Sequence, residues 1–485
     1  MKANALVPAR GRIEISAAVV GGVLTLLAIA TPCAAQVPGG APLASLYELI
    51  PGQPRIIPDG SGGAIITWAD RRSGTWDAYA QRIDDGGGAL WTPNGVALCP
   101  GAQGQQSPQI VSDRAGGAII VWADSRAGEY DIYAQRIDGR GALQWGPGGL
   151  ALCAEQHSQQ SPQIASDGAG GAIVVWVDYR AGNYDIYGQR VSGAGATLWQ
   201  ANGAPVCSEP HDQRYPEIIS DQSGGAIAVW VDNRNGSYDV YAQRVGPLGG
   251  VLWAADGAGI CTGLQNQVSP QLVTDGAGGA CIAWVDDRGG DWDIYGQRIS
   301  AGGAIQWPAN GVGICTAILD QVSPQLASDE AGGAIVTWAD RRSGSWDIYA
   351  QRMSAVGVGE WAQDGTGVCT APQDQFSPQI MSDGAGGAEI AWMDSRGGNN
   401  NIFAGRVGPN GRSLWVEDGL AVCFERHDQR YPQIGSDGDH GAIVTWVDFR
   451  AAKYAIYAQR VGSGGSDRWT PNGVAVSRPR GREAR

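Results

Sequence analysis

Lysine is almost missing from this 485-residue chain: Lys2 and Lys453 stand alone among its 34 basic residues. Acidic residues number 48, and the formal charge is -14. That balance excludes a nucleic-acid partner, which rewards clustered cations with counterion release. Long apolar runs are equally scarce. The one present, Ile15 to Ala30, is shorter than the ~20 residues a membrane-spanning helix needs. No stretch carries a helical period, so helical folds are excluded as well. Also lacking are a nucleophile elbow, a phosphate-cradling loop, a paired-histidine motif and a Cys-His setting. No catalytic residue is assigned, and no metal or cofactor is expected.

The N-terminus has its own layout. Lys2, Arg10 and Arg12 precede the apolar run, and Thr31-Pro-Cys-Ala-Ala35 supplies small residues before Gln36. Residues 1–35 are read as a secretory signal peptide cleaved near Ala35, with the mature chain secreted or periplasmic. Residues 478–485, with Arg478, Arg480, Arg482 and Arg485, are read as a frayed basic tail.

What the chain has in abundance is repetition. Trp68, Trp122, Trp176, Trp230, Trp284, Trp338, Trp392 and Trp446 recur at an unbroken step of 54 residues. A second tryptophan column, Trp91 to Trp469, keeps the same step. One supersecondary unit has been copied eight times. Within a copy, apolar runs of four to eight residues alternate with Gly-rich turns, the signature of strands and hairpins. The second strand, such as Ala172-Ile-Val-Val-Trp-Val-Asp178, is apolar on both faces and is expected to be central and covered. The prediction is an all-β, eight-bladed β-propeller of mostly four-stranded blades over residues 36–477.

Other columns read as scaffold. Asp167 and its equivalents precede Gly-rich hairpin turns, where the carboxylate bonds the turn backbone. The motif W-x-D-x-R occurs in all eight copies and is read as a salt-bridged loop. Seven cysteines, Cys99 to Cys423, keep the 54-residue step, with Ser477 in the eighth copy. Blade-to-blade spacing is too wide for a disulfide, so these and Cys281 are read as small buried hydrophobes. The segment after each second tryptophan, such as Asn202-Gly-Ala-Pro-Val-Cys207, reads either as an extended fourth strand or as a short fifth one. Gly40-Ala-Pro-Leu43 is similar to Gly203-Ala-Pro-Val206, and is expected to pair with the last blade and close the ring.

The run S-P-x-x-x-x-D-G-x-G-G followed by W-x-D-x-R-x-G-x-x-D-I-Y resembles the WD-like repeat of TolB-type bacterial propellers. Ser161, Pro162, Asp178, Arg180, Gly182, Asp185, Ile186 and Tyr187 are the matching positions in the third copy. The resemblance implies a propeller fold and an exported location. The repeat is longer than that family's, and the family's α/β domain has no counterpart here. The tryptophan-docking motif of eight-bladed quinoproteins and the Asp box of sialidases are not repeated in this chain.

A residue present in every blade is presumptively structural, so a site is expected where the symmetry breaks. His157, His211 and His427 share one column, and His211-Asp-Gln-Arg-Tyr-Pro216 matches His427-Asp-Gln-Arg-Tyr-Pro432 four repeats away. Lying on opposite sides of a ring, they do not converge on a metal. As recognition residues, His211, Arg214, Tyr215, His427, Arg430 and Tyr431 have suitable chemistry. Linker glutamines Gln105, Gln159, Gln213, Gln267, Gln321, Gln375 and Gln429 are candidates to line one rim with amides suited to glycans or peptide backbones. Asp437-Gly-Asp-His-Gly441 faintly resembles a calcium loop but lacks the remaining ligands. Glu389 replaces an apolar residue in the seventh copy, and Asn399-Asn-Asn401 replaces its aromatic-Asp turn. The expected function is an exported, monomeric binding scaffold with a protein or glycan docked on one ring face. The alternative is a secreted carbohydrate-active enzyme with its site at the channel mouth.

Overall fold

The computed structural model describes residues 52–101, 104–451 and 453–478. They form eight antiparallel sheets, one per repeat, each with its strands in sequence order. The third blade is representative, with strands Gln159–Ser166, Ala172–Asp178, Asp185–Val191 and Ala204–Cys207. First strands of neighbouring blades touch around the whole circuit, and Arg55–Pro58 of the first blade meets Gln429–Ser436 of the eighth. The ring is closed, and the first strands surround its axis. Eight four-stranded blades match the expectation from the repeat.

The second strand is buried along its whole length because both faces are covered by neighbouring sheets. Alternation of side chains divides it. Ile173 and Val175 pack on Trp230 of the fourth blade, whereas Val174 and Trp176 pack on Val121 and Leu152 of the second. The core is therefore a set of eight layers between blades. The closing layer joins Ala64, Ile66 and Trp68 to Ile443, Val447 and Ile456.

Polar columns complete each blade. The Trp176 indole donates to Asp178 Oδ2 (2.8 Å), and Arg180 Nε donates to Asp178 Oδ1 (2.8 Å) while its guanidinium stacks over Tyr187 (4.0 Å). Asp167 Oδ1 accepts from the backbone amides of Ala169 and Gly171, and its Oδ2 pairs with Arg190 at 2.9 Å. Arg190 Nη1 and Trp199 Nε1 then reach Pro247 O of the next blade (3.1 and 3.0 Å). At the seam, Arg460 and Trp469 make the same bonds to Asp85 O of the first blade.

The structure answers the question of the extra segment. It is the fourth strand, as in Ala204–Cys207, while the residues before the second tryptophan make only a single bridge, Val191 with Thr197. The eighth blade takes its outer pairing from its own Val474–Ala475, against Tyr457 and Ala458. Residues 1–35, read as a signal peptide, and Gly40–Leu43 lie outside the described residues. All eight described cysteines are free and buried. Burial pushes the Cys153 and Cys207 thiols up to about 12. No helix among the described residues is long and apolar enough to cross a membrane.

Candidate functional site at the axial channel

The first strand carries the feature that shapes the axis. Between its second and fifth residues the register with the second strand slips, as between Arg214 and Glu217. The residue before the proline adopts a left-handed conformation: Ser161 at φ 53°, Tyr215 at 55°, Tyr431 at 57°. A non-glycine residue at positive φ is uncommon, and here it recurs in seven blades at Ser107, Ser161, Tyr215, Ser269, Ser323, Ser377 and Tyr431. The following proline has no amide to leave unpaired in the slipped register.

This bulge turns two columns toward a channel cavity of about 250 Å³. One is the serine column, in which Tyr431 borders the cavity, Gln53 fills the first blade's place, and Tyr215 borders a smaller recess beside it with Ser107 and Ser161. The other lies two residues on: Gln109, Gln163, Gln271, Gln325, Gln379 and Gln433, with Arg55 and Glu217 in the first and fourth blades. Neighbours in this second ring bond one another. Arg55 Nε donates to Gln109 Oε1, and Gln163 Nε2 donates to Glu217 Oε1, both at 2.9 Å. The channel and this recess are thus lined by amides, with one cation, one anion and two phenols breaking the symmetry.

The candidate residues separate in three dimensions. Tyr431 borders the channel cavity, and Tyr215 borders the smaller recess beside it. His211 and His427 are exposed on the linker loops, where their backbone carbonyls accept from Asn183 and Asn399 side chains (2.8 and 2.5 Å). Arg214 pairs with Asp212 (2.8 Å) and stacks over Tyr184 (3.9 Å), and Arg430 pairs with Asp428. His157 lies 4.0 Å from Glu129.

The linker glutamines are a correction. Gln105, Gln159, Gln213, Gln267, Gln321, Gln375 and Gln429 are fully buried and do not line the rim. Their amides hold the linkers, as when Gln159 Nε2 donates to His157 O (2.8 Å) and Gln105 Oε1 accepts from Ala78 N (3.0 Å). Each opens a first strand, where loop carbonyls must be satisfied away from water. Sequence reasoning passed over the channel glutamines four positions later, although Arg55 and Glu217 already broke their column.

Two other candidates have definite surroundings. Both Asp437 oxygens are occupied, Oδ1 by the amides of Asp439 and Gly441 and Oδ2 by Arg460, so this is the hairpin turn of every blade. Glu389 is fully buried in the seventh blade with neither carboxylate oxygen hydrogen-bonded, and burial pushes it up to about 8.

No family model and no curated protein matches the chain. Solved structures are similar to it at low identity. A puromycin-hydrolyzing peptidase of Mycobacterium tuberculosis is 13% identical, covering 82% of this chain and 58% of that one at a TM-score of 0.44. An alpha-L-arabinanase of Penicillium chrysogenum is 13% identical over 65% and 91% of the two chains, with a TM-score of 0.38. A putative TolB of Agrobacterium tumefaciens is 16% identical over 58% and 83%, with a TM-score of 0.33.

Proposed function

We propose that this chain is an exported binding scaffold whose ligand, a neutral glycan or a protein loop, enters the axial channel. One observation carries the reading: the two columns facing the channel lose their symmetry at Arg55, Glu217, Tyr215 and Tyr431. Amides, hydroxyls and phenol faces in a polar cavity suit the alternating polar groups and CH faces of a sugar, or a peptide backbone. The signal-peptide reading of residues 1–35 and the TolB-like repeat support export. Hydrolysis of a glycoside through a carboxylate pair calls for two such groups flanking the bond. Among the described lining residues of the channel cavity, Glu217 is the single carboxylate, which favours binding over turnover.

The test uses the symmetry itself. Tyr215→Ser and Tyr431→Ser, with Arg55→Gln and Glu217→Gln, restore residues that other blades carry at those positions, so the scaffold should fold. Purified protein is screened against neutral glycans and envelope-protein extracts, and the fourfold variant is compared on the best hit. Loss of binding with an unchanged melting temperature is expected. Retained affinity in the variant, or turnover of any glycan by the parent, sinks the proposal.

A further inference from the structure

A second symmetry break lies at the seam where the eighth blade meets the first, away from the channel cavity. Four columns of the repeat flank each seam in the sequence: two before or at the start of the third strand, one after the outer strand, and one in the next blade's W-x-D-x-R loop. Between the third and fourth blades they are Asn183, Asp185, Ser208 and Asn233. Their formal charges total -1 or -2 in the first six seams and zero in the seventh. At the closing seam they are Lys453, Ala455, Arg478 and Arg71, a total of +3 in a chain of net charge -14.

The structure gathers these cations around a cavity of about 380 Å³ walled by Trp76 and Tyr454. Asp70 also borders it, but that carboxylate already accepts from the Trp68 indole (2.8 Å) and pairs with Arg72. The Arg71 guanidinium lies 5.8 Å from the Trp76 ring centre, and the Tyr454 hydroxyl donates to Gly52 O. Tyr454 is thus anchored, and the positive charge lines the cavity beside the two rings.

We infer that this seam binds a carboxylate-bearing polysaccharide, placing a uronate residue among Arg71, Lys453 and Arg478. Guanidinium forks match carboxylates in shape as well as charge. A half-buried indole offers an apolar wall to the CH face of a pyranose. The acidic body opposes a polysulfate, with more than one charge per sugar, more strongly than a polyuronate with one.

Affinity gel electrophoresis with polygalacturonate, against a neutral galactan, tests the inference. The parent should be retarded by polygalacturonate alone, and less so as salt rises. Arg71→Ser, Lys453→Asn and Arg478→Thr together install residues found at other seams, and should raise the apparent Kd by about tenfold or more. Arg341→Ser, the same loop position in the sixth blade, should change nothing. The channel variant above should keep this binding, which separates failure here from failure of the channel reading. Equal retardation of parent and triple variant, no retardation of the parent, or retardation by dextran sulfate without polygalacturonate would overturn it. If the triple variant melts early, Arg478→Thr alone at its exposed position is read in the same way.

Discussion

Single side chains show how strictly the ring enforces its repeat. Glu389 occupies a position held by isoleucine in six blades and by Cys281 in one, with no group bonded to its carboxylate. Arg406 is the cation acting on it, opposed by Asp437 and Asp383. Because the folded-state value lies above the ordinary carboxylate range, its contribution to stability is complete below that range. It is lost as pH rises through about 8. Glu389→Ile should therefore raise the melting temperature far more at pH 9 than at pH 5. The difference should be on the order of a few kcal/mol, and an equal gain at both pH values would contradict the burial of an unpaired acid. Asp185 and Asp293 follow the same sign, pushed up to about 6 chiefly by desolvation. The buried thiols make a separate prediction. Raised to about 12, Cys153 should resist alkylation in the native protein. All eight described cysteines should react after denaturation without reductant, and a shortfall would reveal a disulfide.

At the scale of the strand and its turn, glycine matters where backbone and packing coincide. Gly203 and Gly182 share a φ of 92°, yet differ in surroundings. A Cβ on Gly203 would lie 2.5 Å from the Trp176 ring, whereas Gly182 has nothing within 4 Å. Gly182→Ala should cost about 1–2 kcal/mol of backbone strain. Gly203→Ala should add roughly 1–3 kcal/mol of overpacking. Urea unfolding of both variants checks this, and equal losses would mean that the tryptophan ring yields freely. The strand order was legible from hairpin turns and tryptophan spacing. Which segment forms the outer strand was not, because both candidates are short and apolar. Hydrogen bonding to the third strand chooses between them.

Across the whole molecule, closure rests on the seam between the eighth and first blades. The eighth blade's outer strand is its own, and Val476 packs with Trp68 and Ile66 of the first. Removing residues 473–485 should therefore lower the melting temperature and speed hydrogen exchange in both blades. Deletion of residues 36–51 provides the contrast. If that deletion opens the ring and the C-terminal truncation leaves it intact, the N-terminal segment is the closing element instead.

Blade number, strand content, buried tryptophans and the paired Asp and Arg columns were all determined by sequence, since a fixed 54-residue step forces one local solution eight times. The axial site was only half legible: Tyr215 and Tyr431 were candidates, while Arg55, Glu217 and the inner glutamines were not. Two glutamine columns lie four residues apart in the same strand, and nothing in their chemistry says which is buried. The bulge at the left-handed residue before proline decided that, burying Gln213 and turning Glu217 toward the axis. Likewise, Arg71 and Lys453 are far apart in the chain, and only ring closure sets them at one cavity.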